Sequence, residues 1–166
     1  MKRVIRVLKN YFGVVTDWVV LDYDHRHRRR IALTSEKGIS FLLDLAAVPD
    51  LREQDAFEIE GGAIIVVKAA PEDLMEITCT DALHLARVAW HLGNRHLPTE
   101  LVPGVIRIRA DHVIGEMAEG LGARVKTIQA PFNPERGAYD QKAATQRHHH
   151  GGHHHHHHDD SDHHHD

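Results

Sequence analysis

The sequence predicts an α+β protein in three parts: a small all-β region over residues 1–70, a ferredoxin-like β-α-β-β-α-β region over 71–140, and a histidine-rich disordered tail over 141–166. Three observations predict it. Short β-branched and alternating apolar runs fill the first seventy residues, and no helical period persists there. From Pro71 strand-like runs alternate with two helical stretches, each preceded by an aspartate and followed by a glycine. From Asp140 the apolar content collapses, so the chain there cannot bury enough surface to offset the entropy of ordering.

In the first part, Arg3–Val7 alternates, Val14, Val15, Val19 and Val20 are β-branched, and Ile31–Leu33, Ile39–Leu43 and Phe57–Ile59 follow as strands. Gly61-Gly62 reads as a turn before the apolar run Ile64–Val67. The segment Asp24–Arg30, D-H-R-H-R-R-R, has no aromatic platform for nucleic acid and reads as a solvated hairpin. His25-x-His27 could form a metal pair. An H-x-H at a strand end can also mark a hydrolase barrel, but that fold takes on the order of 250 residues.

In the second part, Leu74–Thr80 alternates as a strand and Asp81 caps a helix running to about Leu92. Ala82, Leu85, Val88, Ala89 and Leu92 share its inner face, with His84, Arg87 and His91 opposite. Leu83 and Trp90, seven apart, form a flanking apolar stripe. Gly93 fits the left-handed position that stops a helix. Leu97–Val102 and Val105–Arg109 are strands around the turn Pro103-Gly104. Asp111 caps a second helix, His112 to Leu121, whose inner face is Val113, Ile114, Met117, Ala118 and Leu121. Gly122 ends it, and Arg124–Gln129 is the last strand. Beyond it, P-F-N-P-E-R-G-A-Y at Pro131–Tyr139 is turn-rich with two aromatic anchors.

Composition narrows the function. The chain has 166 residues, a net charge of −4 and one cysteine, Cys79, so no internal disulfide forms. All 20 Lys and Arg lie at or before Arg147, while Asp159, Asp160, Asp162 and Asp166 follow it, so the first 147 residues carry no net charge. A neutral body does not steer toward nucleic acid. No run reaches the roughly 18 apolar residues of a membrane span, and the N-terminus lacks a secretory signal pattern. The expected location is the cytoplasm.

Of the 18 histidines, twelve lie in the tail: His148, His149, His150, His153, His154, His155, His156, His157, His158, His163, His164 and His165. Neutral imidazole ligates borderline divalent ions, so the tail should hold Ni²⁺, Cu²⁺ or Zn²⁺ in preference to Mg²⁺ or Ca²⁺. His153–His158 has the length of a purification tag, but further histidine and aspartate clusters flank it, which a tag seldom has. His96 stands alone after a helix stop. One imidazole does not hold a divalent ion firmly, but two would if a two-fold axis paired them, and the Leu83/Trp90 stripe offers a surface for that axis. His112 opens the second helix near Glu116 and Glu119, where the helix N-terminus favours a neutral, ligating ring. Cys79 reads as a small core residue beside Met75 and Ile77. No paired nucleophile and base, P-loop or H-E-x-x-H motif occurs, so an enzyme is not expected.

Four stretches together resemble a known family. H-L-G-N-R-H-L-P at His91–Pro98, P-G-V-I-R-I-R-A-D-H-V-I at Pro103–Ile114, P-F-N-P-E-R-G-A-Y at Pro131–Tyr139 and the histidine-rich end are similar to the urease accessory protein UreE family. The resemblance is strong over 72–140 and weak over 1–70. It implies a homodimeric cytoplasmic nickel metallochaperone for urease assembly, working with apo-urease and its accessory proteins, including the urease accessory GTPase. It implies a peptide-binding-like N-terminal domain and a ferredoxin-like domain that supplies the dimer. The family's principal nickel ligand falls on His96, one from each subunit. A peripheral H-x-H site falls on Ala110-Asp111-His112, where the first histidine is absent. Two rivals remain: a histidine-rich nickel or zinc store, and a peptide-binding co-chaperone.

Overall fold

The computed structural model describes residues 1–136, which fold around two sheets. The first sheet is built from β1 (Lys2–Leu8), β2 (Asp17–Leu21), β3 (Arg30–Thr34), β4 (Ser40–Asp44), β5 (Ala56–Ile59) and β6 (Ile64–Ala69) in the order β2-β6-β5-β1-β4-β3. β1 runs parallel to β4 and β2 parallel to β6; the remaining pairs are antiparallel. Alternate residues point inward, so Phe41, Leu43, Phe57, Ile59, Ile65 and Val67 are buried together. Gly61 and Gly62 both take positive φ in the β5–β6 hairpin, where a side chain would be strained.

Two expectations for this region fail. Val14 and Val15 are not strand; they lie exposed in a loop before β2, held by a hydrogen bond from the Tyr11 hydroxyl to the Val14 carbonyl. β-branching alone does not make a strand when no partner edge is present; pairing with β6 begins only at Asp17. Nor is Asp24–Arg30 a solvated hairpin. Asp22 accepts the His25 N–H at 2.8 Å and starts a one-turn helix, α1 (Tyr23–Arg26), within the all-β region. Arg26, read as part of a solvated basic run, is 2% exposed.

The second sheet follows β7 (Pro71–Thr78), α2 (Ala82–Gly93), β8 (Glu100–Val102), β9 (Val105–Arg109), α3 (His112–Gly120) and β10 (Arg124–Pro131). The β-α-β-β-α-β order is the one the periodicity predicts. The sheet order is β10-β7-β9-β8, antiparallel at every pair. Val88 and Leu92 of α2 and Ile114 and Ala118 of α3 cover one face, burying Ile77, Ile106 and Ile108. That packing supplies most of what holds two short helices. Gly104 (φ 76°) and Gly122 (φ 87°) make the turns assigned to them. Val113, expected inside, is 70% exposed: the buried positions of α3 are Ile114, Gly115 and Ala118, so its inner stripe sits one residue later than the wheel places it. Gly115 lies tight under Met75, where a Cβ would come within 3.1 Å of the Met75 sulfur. Among the described residues, no helix is long and apolar enough to cross a membrane.

The two sheets meet at a polar seam. Arg26 donates to the Leu51 carbonyl (3.1 Å), the Phe132 carbonyl (2.6 Å) and Asn133 Oδ1 (2.9 Å). Arg109 of β9 pairs with Asp24 at 3.0 Å, and its Nε lies 3.2 Å from Glu72 without hydrogen-bond alignment. Its guanidinium sits 5.5 Å from the Tyr23 ring centroid and 5.7 Å from that of Phe132, which is fully buried. Burial alone would pull the Arg109 pKa down, but Asp24 and Glu72 outweigh it and raise it.

Candidate metal centre

The candidate ligand is presented by the end of α2, so the start of that helix matters. Asp81 is its N-cap and accepts the His84 N–H at 2.8 Å. That bond and the Thr80 hydroxyl hold the Asp81 carboxyl below the usual carboxylate range. A group depressed in the folded state stabilises above its unfolded pKa and loses that contribution as pH falls through the lower folded value. Asp81→Ala is therefore expected to lower the thermal midpoint at pH 7 by on the order of 3 °C. The gap from the parent should close as acid takes both below the carboxylate range, which a pH series of melting curves reads directly.

His84 is a structural bridge. Its Nε2 donates to the Leu121 carbonyl at 2.9 Å, which leaves Nδ1 to accept the Thr80 backbone N–H at 3.3 Å. Both ring nitrogens are committed to tying the start of α2 to the end of α3. His91 packs edge-on to Trp90, ring centroids 5.0 Å apart. Trp90 and Leu83 are each 64% exposed, so the predicted apolar stripe lies on the surface of α2.

The helix does not stop where the glycine rule places it. Gly93 is its last helical residue and Asn94 stays right-handed, at φ −63°. The Arg95 N–H reaches the Leu92 carbonyl and the His96 N–H the Gly93 carbonyl, both at 3.0 Å, and the left-handed residue is His96 itself, at φ 54°. Left-handed backbone costs a non-glycine residue roughly 1 kcal/mol or more, and persists where surrounding structure over-determines it. Arg95 Nη1 donates to the His91 carbonyl at 3.0 Å, filling one of the open acceptors at the helix end. On the far side Pro98 has no N–H to offer a sheet, and β8 starts at Glu100 rather than at Leu97. His96 is exposed, and no hydrogen bond or ion pair from the described residues reaches its imidazole.

His112 opens α3 behind the Asp111 cap, whose Oδ1 accepts the Ile114 N–H at 3.1 Å. Its side chain is 84% exposed and its Nε2 lies 3.4 Å from Glu116 Oε1. A cleft is lined by Leu97, Pro98, Ile108, Arg109, Ala110 and Asp111, the residues that follow His96 and precede His112 in sequence. Among the described residues, no three His, Cys, Asp or Glu side chains converge to hold a metal. His25 Nδ1 meets Asp22 Oδ1 at 2.7 Å, and His27 stacks on Tyr23 with ring centroids 5.0 Å apart. Burial, then the charge of Asp81, push the Cys79 thiol up, which disfavours the thiolate a metal or an electrophile would need. His148, His149, His150, His153–His158 and His163–His165 lie outside the described residues.

Sequence reasoning marked Phe132 as an aromatic anchor but overlooked Arg26 and Arg109. No spacing singles them out: a buried arginine in a basic run has the same letters as an exposed one.

The comparisons with known proteins bear on both sheets. Residues 4–70 match the family model described as UreE urease accessory protein, N-terminal domain, and residues 72–165 match its C-terminal domain. A urease accessory protein UreE of Bradyrhizobium sp. (strain BTAi1 / ATCC BAA-1182) is 51% identical over 148 residues, covering 88% of this chain and 72% of the relative. The protein of that name from Rhodopseudomonas palustris (strain HaA2) is 56% identical over 123 residues, covering 74% and 57%. That from Beijerinckia indica is 54% identical over 123 residues, covering 74% and 71%. The chain thus spans between 57% and 72% of the length of these relatives. With both family models matched in order, and a relative at 51% identity of which the chain covers 72%, the chain belongs to the UreE family of urease accessory proteins.

Proposed function

We propose that this chain is a nickel metallochaperone that binds Ni²⁺ as cargo and donates it during assembly of the urease metallocentre. The observation that carries the reading is His96: an exposed imidazole, free of hydrogen bonds and ion pairs from the described residues, on a left-handed backbone at the end of α2. A structural histidine is held by partners, as His84 is. Among the described residues His96 is held only through its backbone, which suits a ligand that must take up and release an ion.

One imidazole binds weakly, so the site is a shared one. Two chains related by a two-fold axis would bring two His96 side chains together, with the exposed Leu83/Trp90 stripe buried at the dimer contact. The antiparallel β10-β7-β9-β8 sheet with α2 and α3 on one face is, on this reading, a ferredoxin-like metal-binding and dimerisation domain. The tail histidines, His148 to His165, complete the ion's shell and raise the local ligand concentration. Glu135 donates its N–H to the Thr99 carbonyl at 2.8 Å, which ties residue 135 to the strand that follows the His96 turn. Asp111 and His112 supply an alternative pair of donors on α3. Zn²⁺ and Cu²⁺ would compete in vitro, since imidazole favours all three ions. The partners on this reading are apo-urease and its accessory proteins, including the accessory GTPase, and the compartment is the cytoplasm. No catalytic role is assigned.

A chain ending at Arg147 is expected to lose most of its nickel capacity yet keep its tightest site and still support urease activation in a reconstituted assay. Activation lost as fully as in a His96 variant would overturn the donor reading in favour of storage. Ligation needs neutral imidazole, so the stoichiometry should fall between pH 7.5 and 5.5, as histidines protonate around an ordinary pKa of about 6.5. A stoichiometry unchanged over that interval would count against histidine ligation.

A further inference from the structure

We infer that Arg26, a residue of the first sheet's region, is a positioning residue for the His96 turn. Its functional meaning rests on the reading of His96 as a ligand; its structural content does not.

The inference starts from what Arg26 costs and what it touches. A guanidinium that is 2% exposed needs partners, and two of its three acceptors, the Phe132 carbonyl and Asn133 Oδ1, belong to a segment more than a hundred residues away in sequence. Its Nε is buried without a hydrogen-bond partner among the described residues. Good solvation of the charge is thus sacrificed, and the geometry retained is a two-pronged hold on 132–133.

That segment in turn holds the strand that leaves the His96 turn. The Asn133 N–H points to Glu100 Oε2 at 3.4 Å, and the Glu135 N–H donates to the Thr99 carbonyl at 2.8 Å. The Thr99 hydroxyl donates to the Leu97 carbonyl at 2.9 Å, and Leu97 packs on the second core. Leu97 follows His96. The chain of contacts therefore runs Arg26, Phe132–Glu135, Thr99–Glu100, Leu97, His96. Upstream the turn is fixed by α2 and by Arg95; downstream these are the contacts that fix it. A left-handed histidine whose side chain has no polar partner among the described residues needs both anchors to keep one orientation.

The test is made on the full chain, with two substitutions of buried residues in the first sheet's region compared. Arg26→Met removes the hold, and Leu43→Ala damages the same sheet's core without touching it. In metal-free protein, the backbone order parameters of Arg95, His96 and Leu97 are expected to fall from about 0.85 toward 0.6 in Arg26→Met and to stay unchanged in Leu43→Ala. With Ni²⁺ as the probe, the dissociation constant of the folded protein should rise about 3- to 10-fold in Arg26→Met, below the roughly 10- to 100-fold that removing a direct partner of a ligand costs, because Arg26 reaches His96 only through intermediate residues. Where Arg26→Met does not fold, Asn133→Ala and Thr99→Val break the same chain at later points and should reproduce the loss of order at reduced size. Order parameters at 95–97 that are alike in the variants and in the parent would overturn the inference. Loss of order at 95–97 with nickel affinity unchanged in both Arg26→Met and His96→Ala would leave the positioning intact and remove the nickel reading of His96.

Discussion

His96→Ala, in a chain ending at Arg147, is expected to raise the nickel dissociation constant of the tightest site about 100-fold or more. Loss of an outer partner of a metal ligand alone costs about 10- to 100-fold, and here the ligand itself disappears from both halves of a symmetric site. A calorimetric titration beside the parent chain measures it, and a urease activation assay should fall in step. The left-handed backbone at φ 54° gives this experiment an internal control. Alanine and histidine both strain there, so the alanine variant should melt within about 2 °C of the parent. His96→Gly relieves the strain and should melt no lower than the alanine variant, yet bind nickel no better. A variant at least as stable as the parent that has lost its ion has lost a ligand rather than its fold. Equal nickel affinity in parent and His96→Ala would sink the proposed site.

The end of α2 also shows what the sequence can and cannot disclose. Asp81, Asp111, Gly104 and Gly122 were legible because each acts on its immediate neighbours: a carboxylate on the N–H three residues on, a glycine on its own φ. The helical period placed Val88, Leu92, Ile114 and Ala118 in the core for the same local reason. The stop of α2 was misread because two candidates for the left-handed residue stand three apart. Glycine has the lower cost, but tertiary anchors on Leu97–Glu100 move the reversal to His96. The parallel pairings β1/β4 and β2/β6 were not legible at all, since alternation tells which face is buried and not which strand lies alongside. His96 was legible as a candidate from its place after a helix stop beside the Leu83/Trp90 stripe, and the G-N-R-H segment sharpened it; that no hydrogen bond or ion pair from the described residues reaches its side chain is a tertiary fact. The burial of Arg26 was equally hidden, because its acceptors are the Leu51 and Phe132 carbonyls and Asn133 Oδ1, set by how the two sheets meet.

Phe132→Ala is expected to be the most destabilising of the single changes considered, at about 3–5 kcal/mol, the usual range for deleting a fully buried phenylalanine. That corresponds to a fall of about 10–15 °C in thermal midpoint for a unit of this size. Several losses coincide at this side chain. Its ring meets Tyr23 edge-on at 5.6 Å, so the aromatic pair that spans the seam disappears. The Arg109 guanidinium, 5.7 Å from the ring centroid, loses one of the two faces that shield it, while Asp24 and Glu72 still hold it in place. Water entering the cavity would reach Arg26, whose contacts to the Phe132 carbonyl and Asn133 weaken once the backbone there is free to shift. The effect should therefore divide unevenly between the sheets. Amides of β3 and β4, remote from the seam in the order β2-β6-β5-β1-β4-β3, should keep protection from hydrogen exchange at mild denaturant, while those of α1 and of residues 131–135 lose it first. Phe132→Leu keeps most of the apolar volume without the ring and should recover more than half of the lost stability. If alanine and leucine are equally destabilising, the ring contacts rather than the buried volume hold the two sheets together; if neither moves the midpoint, the seam contributes nothing to the fold.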